Sequence, residues 1–381
     1  RVGVVGCGGI AQMMHLPHLH ERPDLFTLVS VADVRQDAVD AVAAIYGAKH
    51  KTTNPLETIK HPEVEAVLLL ASGSHEALAK AAYEHKKHLF VEKPFGYDVK
   101  ETEGLLKAAK ASGVKTLVGY HKRFDPAYLR AREVVRSLKD LRFVEVTVLH
   151  PDDGAYRVHH AVHPNPAAPY VMTPEAEDIK GTQEAVSPGG SAFKSMSEVV
   201  GGDAPTDHKV AAKILTESLI HDINVVRGVL GEPKKVVTAH TWHSGFAQNS
   251  LTDFGNGVHA TLNWVLVPGL RNYEETVRFI APMGRVTLTF PSPYLKNMPT
   301  PLRIERMDGG DHVVEQRTIS YEEAFRGELH AFRTLVLDGG QAEVTLDDPL
   351  GDARWIQAIA RAFRGAPQQV QHVGAGGHQV L

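Results

Sequence analysis

The run Val2-Gly-Val-Val-Gly6-Cys-Gly8-Gly9-Ile10-Ala11 constrains this chain more than any other stretch. An apolar strand leads straight into Gly6-x-Gly8-x-x-Ala11 and a helical pattern follows. That strand–turn–helix setting is what gives such a glycine motif meaning as a dinucleotide fingerprint. Gly6 permits the tight turn, Gly8 lets the backbone approach a pyrophosphate, and Ala11 keeps helix and sheet close. Gly9 and Ile10 complete the turn into the helix N-terminus, whose free N–H groups favour phosphate. Asp33 ends the next apolar run, Leu28–Ala32. A carboxylate there accepts hydrogen bonds from the adenosine ribose and repels a 2′-phosphate, so the pattern predicts NAD. Arg35 is placed to meet a 2′-phosphate and keeps NADP as the alternative. The spacing from Gly8 to Asp33 exceeds the usual offset of about 20. The surplus is assigned to a loop over 15–24, where Pro17 and Pro23 break the first helix.

With 381 residues the chain is too long for one ordinary core, and two domains are expected. A hydrophobic share of 43% with 23% charged residues is that of a globular protein. Net charge is −4 without a basic block, which argues against a nucleic-acid partner. No run approaches the roughly 20 apolar residues of a membrane span. The chain opens on Arg1 directly before the first strand, leaving no room for a signal peptide, and its single cysteine, Cys7, suits a reducing compartment. A cytoplasmic location is the expectation. Cys7, inside the glycine loop, reads as packing and not as a nucleophile. His159, His160 and His163 cluster with His150 upstream, but Pro164, Pro166 and Pro169 follow and no well-spaced acid completes a ligand set. No metal is predicted.

Residues 1–122 alternate strands (2–5, 28–32, 66–71, 88–91, 115–119) with helices (37–46, 75–85, 100–111). That is the βαβ pattern of a doubly wound parallel sheet, a Rossmann dinucleotide-binding domain. Residues 123–381 read as an α+β domain for substrate binding and oligomerisation. It begins with a helix over 127–138 and a strand over 143–149. Turn-punctuated strands follow over 235–242, 250–254, 258–266, 276–280, 285–289, 302–307 and 312–319, giving a large, mostly antiparallel open sheet. Helices over 321–337 and 349–363 close the pattern, and the tail after Arg364 has no periodicity. Proline-rich residues 150–206 stand apart as an insertion. A lid, a subunit contact and surface elaboration are all open for it, with a bearing on substrate and not on cofactor.

Two further motifs carry chemistry. Glu92-Lys93-Pro94 ends the strand over 88–91, at the edge of the crevice where such a sheet binds its ligand. A lysine there stabilises charge on a substrate oxygen and, where burial lowers its pKa, passes protons. Glu217-Ser-Leu-Ile-His221-Asp-Ile-Asn224 falls on a helix expected over 209–230. Glu217 and His221 are four apart and share a face. Oxidation of a secondary alcohol needs a base for the hydroxyl proton, and histidine, with an unperturbed pKa of about 6.5, suits that role. The carboxylate one turn away would orient the imidazole or hold a neighbouring hydroxyl.

The glycine turn, Glu92-Lys93-Pro94, Tyr120-His121-Lys122-Arg123-Phe-Asp-Pro126 and the His221-Asp222 helix, in that order, resemble the glucose–fructose oxidoreductase / inositol dehydrogenase / rhizopine catabolism (Gfo/Idh/MocA) family. The resemblance covers nearly the whole chain apart from 150–206 and the tail. It implies NAD or NADP as cofactor, a sugar, polyol or related alcohol as substrate, and a homo-oligomer, dimer or tetramer, formed through the C-terminal sheet. Residue by residue, it makes Lys93 the essential lysine and His221 the general acid/base. Glu217 stands where the family usually has aspartate. His121 and Arg123 join Lys93, Glu217 and His221 as substrate-binding candidates. The loop Ala71-Ser72-Gly-Ser-His75 lacks the family's Thr-Pro, which leaves the cofactor contact there to backbone groups, Ser72 and His75, with Glu92 and Lys93 beyond. The expected function is an NAD-dependent oxidoreductase acting on a secondary hydroxyl of a sugar, glycoside or cyclic polyol. The alternatives are a glycoside-cleaving enzyme that recycles NAD and a non-catalytic dinucleotide sensor; retention of Lys93 and His221 argues against the last.

Overall fold

Short, fully apolar strands bounded by turns are buried on both faces in a parallel sheet, and the N-terminal strands of this chain follow that rule. In a computed structural model, which describes residues 1–163, 175–340, 342–365 and 368–370, the chain divides into two compact units. The first comprises Arg1–Tyr120 and Phe325–Leu350, together with residues 157–163. Its strands are β1 (Val2–Val5), β2 (Leu28–Ala32), β3 (His50–Thr52), β4 (Ala66–Leu69), β5 (His88–Glu92) and β6 (Thr116–Gly119). They form one parallel sheet in the order β3-β2-β1-β4-β5-β6. This is the Rossmann order, whose ligand crevice opens where the winding reverses, between the C-terminal ends of β1 and β4. Strand β3 was absent from the sequence expectation. Its His50 and Lys51 are exposed, so it pairs through backbone alone at the sheet edge and leaves no hydrophobic signature.

The first helix differs from expectation. Pro17 does not break it: a π-helical turn, Ala11–His15, runs directly into an α-helix, Leu16–Glu21, with Pro17 in its first turn. A proline in a helix removes one donor and crowds the preceding turn, and a π turn relieves that crowding by widening the backbone ladder there.

The second unit contains His121–Tyr156 and the described parts of 175–324 and 351–370. Among the described residues its sheet has nine strands, in the order β14-β13-β12-β11-β7-β10-β9-β8-β15. These are β7 (Phe143–His150), β8 (Lys235–Trp242), β9 (Ala247–Gly255), β10 (Val258–Leu266), β11 (Glu274–Ala281), β12 (Gly284–Thr289), β13 (Leu302–Asp308), β14 (Asp311–Arg317) and β15 (Gln368–Gln369). Pairing is antiparallel except between β7 and β10. Alternate residues of the central strands, such as Val144, Val146 and Val148 on β7 and Ala260, Leu262 and Trp264 on β10, point into the core. In the tail, which has no periodicity, Gln368–Gln369 is extended and pairs as β15 with β8; residues 371–381 lie outside the described residues.

Two further expectations change. The helix expected over 209–230 is three consecutive pieces, Thr206–Ile214, a π turn Leu215–Leu219, and Ile220–Leu230. The insertion over 150–206 holds helices Gly154–Arg157, Glu175–Ala185 and Phe193–Val200. Met196, Val199 and Val200 are buried, so the last of these belongs to a core and is not surface elaboration. Pro164, Pro166 and Pro169 lie outside the described residues. No helix among the described residues is long and apolar enough to cross a membrane.

Candidate active site

The glycine turn is built as a phosphate cradle requires. Gly6 adopts φ +100°, and a Cβ there would stand 2.5 Å from the Ala71 backbone nitrogen, so only glycine fits. A Cβ on Gly8 would meet nothing within 4 Å, which is the open approach a pyrophosphate needs. Ala11 is fully buried against the sheet. Asp33 closes the turn from the neighbouring strand: Oδ2 accepts the Cys7 N–H at 2.7 Å and Oδ1 accepts the Arg35 N–H at 3.0 Å. Burial, then the Asp33 charge, pushes the Cys7 thiol up to about 12, in keeping with a packing role. The Arg35 guanidinium pairs with Asp37 at 2.7 Å.

Gln12 was missed in the sequence. It donates to the Cys7 carbonyl at 2.7 Å and to the His163 carbonyl at 2.6 Å, and accepts the His163 N–H at 2.7 Å. One end of the supposed substrate insertion is therefore clamped to the dinucleotide turn, against the expectation that this region bears on substrate alone. A buried glutamine one turn into the helix was the only local signal. Ser72 is exposed on the loop after β4, whereas His75 is buried, its Nδ1 3.0 Å from the Pro94 carbonyl and its Nε2 2.8 Å from that of Ala71. His75 thus ties the loop after β4 to the turn carrying Lys93.

Glu92, at the end of β5, is turned inward. Its Oε1 lies 2.7 Å from His15 Nε2 and its Oε2 accepts the Lys93 N–H at 3.2 Å. Burial drives this carboxyl up, but the hydrogen bond and charge of His15, helped by Lys93, outweigh it and hold the group below the usual glutamate range. Lys93 itself is half-buried and the Lys93–Pro94 peptide is cis.

In the second unit, His121, Lys122 and Arg123 occupy a buried 3-10 turn, His121–Phe124. Asp125 ends it by capping the helix Pro126–Ser137, accepting the Ala127 and Tyr128 N–H groups at 2.7 and 3.2 Å and the Thr300 hydroxyl at 2.6 Å. The turn brings two predicted residues together: the His121 ring lies 4.6 Å from that of His221, edge to face. Arg123 instead points to Asn224, with Nη1 3.3 Å from its carbonyl and 3.2 Å from Oδ1, so it pins the turn to the His221 helix. Gly228 makes room for it, since a Cβ there would fall 2.5 Å from Arg123 Cζ.

Lys122, Glu275 and Tyr273 were not anticipated. Lys122 pairs with Glu275 and lies 3.8 Å from Asp222, while the Tyr273 hydroxyl donates to Glu275 at 2.7 Å. Burial pushes the Asp222 carboxyl up, offset in part by Lys122; burial and then Asp222 push the Tyr273 phenol well above its usual value. Lys122 lies within a recognised motif, but its partner is on β11, far along the chain. Glu217 sits in the π turn, ion-paired with Lys213, and the next residue, Ser218, accepts the Trp264 indole N–H at 3.1 Å. His150 packs 5.6 Å from both Trp264 and Tyr273.

The first unit has the strand order of a Rossmann fold, and the second holds a histidine pair and a buried lysine–carboxylate network. Residues 1–120 match the family model "Oxidoreductase family, NAD-binding Rossmann fold" (GFO_IDH_MocA). It is 27% identical over 191 residues to a myo-inositol 2-dehydrogenase of Thermotoga maritima, covering 47% of this chain and 57% of that protein. It is 36% identical over 141 residues to an inositol 2-dehydrogenase/D-chiro-inositol 3-dehydrogenase of Shouchella clausii, covering 36% of this chain and 40% of that protein. The matched stretches thus span about half the length of these curated relatives. Among solved structures, a 3-ketoreductase from Actinomadura kijaniata in complex with NADP shares the fold at TM-score 0.70 and 21% identity, covering 94% of this chain and 96% of that one. A putative myo-inositol dehydrogenase from Sinorhizobium meliloti does so at 0.69 and 20%, covering 97% and 99%.

Proposed function

We propose that the chain is an NAD-dependent oxidoreductase that exchanges a hydride with a secondary hydroxyl of a sugar or cyclic polyol. The observation that carries the cofactor reading is the turn itself: Gly6 admits no side chain, Gly8 is open, and the Asp33 carboxylate is held at the end of β2 by two backbone N–H groups. The inositol dehydrogenases among the relatives support the substrate class. NADP in the 3-ketoreductase complex is the finding that weighs toward the other cofactor; Asp33 favours NAD.

When bound, NAD supplies the hydride acceptor. Gly6 to Ala11 and the helix N-terminus would hold its phosphates, and Asp33 would hold the adenosine ribose hydroxyls. The Lys93 side chain stabilises charge developing on the substrate oxygen. An imidazole nitrogen of His221 takes the hydroxyl proton, with His121 packed against its ring. Glu217, ion-paired with Lys213, accepts from a neighbouring substrate hydroxyl. Arg123 anchors the turn through Asn224 and has a positioning role.

The test is NADH formation against a panel of inositols and hexoses. His221→Ala should lower turnover by about 10²–10⁴-fold, the usual range for a general acid–base group, and leave NADH affinity near that of the parent. A His221→Ala protein with parental turnover on the best substrate would remove the residue from the reaction.

A further inference from the structure

Beneath Lys93 the first unit buries three ionisable groups in an apolar pocket. They are His15 from the π turn, Glu92 from the end of β5, and Glu328 from the helix Ala324–Asp338. Their relative exposures are 0%, 7% and 0%. One nitrogen or oxygen of each lies within 4.8 Å of the others. The surroundings are aromatic, with Phe90 at 5.3 Å and Phe325 at 5.6 Å from the His15 ring. Glu92 is satisfied by His15 and by the Lys93 N–H. Both oxygens of Glu328, and Nδ1 of His15, have no hydrogen-bond partner.

Two ionised carboxylates this close in an apolar pocket repel each other strongly, and a proton on one of them removes the repulsion. Glu92 has a hydrogen-bond partner on each oxygen, which favours its ionised form, whereas neither oxygen of Glu328 has one. The proton therefore belongs on Glu328, where it turns an unpartnered oxygen into a donor.

We propose that Glu328 is a neutral carboxylic acid in the folded protein and a positioning residue for Lys93: its proton leaves Glu92 as the one ionised carboxylate of the cluster, and Glu92 holds the Lys93 turn. The proposal rests on the reading of Lys93 as the group that meets the substrate oxygen. His15 and Glu92 each bring a ligand atom within 4.8 Å of Glu328, and Lys93 follows Glu92 in the chain; burial and then the Glu92 charge both push its carboxyl well up. Ionising Glu328 adds a second negative charge behind Lys93 and keeps its amine protonated to higher pH.

Three measurements on the full chain test this. Infrared difference spectra at neutral pH should show a carboxylic-acid C=O band in the parent that Glu328→Gln removes. Pulse acetylation, read on the Lys93 peptide by mass spectrometry across pH, should show an upper titration step in the parent that is lost in Glu328→Gln. Elemental analysis should show no stoichiometric divalent metal. An absent acid band, superimposable Lys93 profiles, or a stoichiometric metal lost on Glu328→Gln would each overturn the proposal. If Glu328→Gln does not fold, the acid band of the parent, followed as pH rises with Lys93 labelling, decides alone. None of these readouts uses substrate or cofactor. A Lys93→Ala protein with parental turnover would therefore sink the catalytic reading of Lys93 and leave the protonation result standing.

Discussion

On the proposed reading Asp33 carries two loads, and separating them gives the sharpest expectation. Each carboxylate oxygen already accepts one backbone N–H, from Cys7 at 2.7 Å and from Arg35 at 3.0 Å. A carboxylate has about four acceptor sites, so roughly two stay available for the ribose hydroxyls. Hydrogen bonds to a charged group contribute about 1.5–3 kcal/mol each. Asp33→Asn keeps the shape and one carbonyl oxygen, which can still accept from Cys7, but turns an amide donor toward the second N–H. The loss of a charged acceptor for the ribose should weaken NADH binding by about 10- to 150-fold, at 1.4 kcal/mol per decade.

NADPH should respond in the opposite sense, because the charge that repels its 2′-phosphate is gone. Arg35 is the available cation. Its pair with Asp37 is largely solvent-exposed, 60% and 56% on the two side chains, and such pairs contribute little to stability. Releasing it by adding Asp37→Ala should widen the swing toward NADPH. Fluorescence titrations of NADH and NADPH at one ionic strength read both affinities. Parental protein that binds NADPH as tightly as NADH, or Asp33→Asn that weakens both equally, would confine Asp33 to shaping the turn.

Two other expectations concern buried charge. Lys122→Met should destabilise the protein by about 3–5 kcal/mol in urea unfolding, because it strands Glu275 and Asp222 without their counter-charge; adding Glu275→Gln should recover part of that, and a loss below about 1 kcal/mol would show the network to be dispensable. For Glu328, whose carboxyl is raised in the folded state, the stability tied to its proton is complete below the ordinary value of 4.5 and is lost as pH rises toward the raised one. The parent should therefore lose up to about 1.4 kcal/mol per pH unit relative to Glu328→Gln across that window, and parallel pH–stability curves would contradict it.

What the sequence disclosed is what local chemistry encodes. The apolar runs at Val2–Val5 and Leu28–Ala32 are strands because nothing else buries four or five such residues between turns. The glycine turn and Asp33 were legible because their spacing is fixed by a single βαβ unit. Strand β3 was hidden because two of its three residues are exposed and polar. Lys122–Glu275, His15–Glu328 and Gln12–His163 were hidden for another reason: each joins residues more than 150 positions apart, and nothing in a local window marks the partner.

The two π turns show a subtler limit. Both fall where a motif meets its helix, at Ala11–His15 and at Leu215–Leu219. A π turn closes its hydrogen bonds one residue later than an α turn, so it rotates everything beyond it by about one residue's share. Counting in fours, which put Glu217 and His221 on a shared face, assumes the α ladder runs unbroken. The second π turn interrupts that ladder between them, and Glu217 is ion-paired with Lys213, four residues to its N-terminal side. In the first, His15 is the last residue of the turn and reaches Glu92. The same local widening that accommodates Pro17 thus sets the imidazole against the carboxylate next to Lys93, so a backbone irregularity with no periodic signature determines which charges share the pocket.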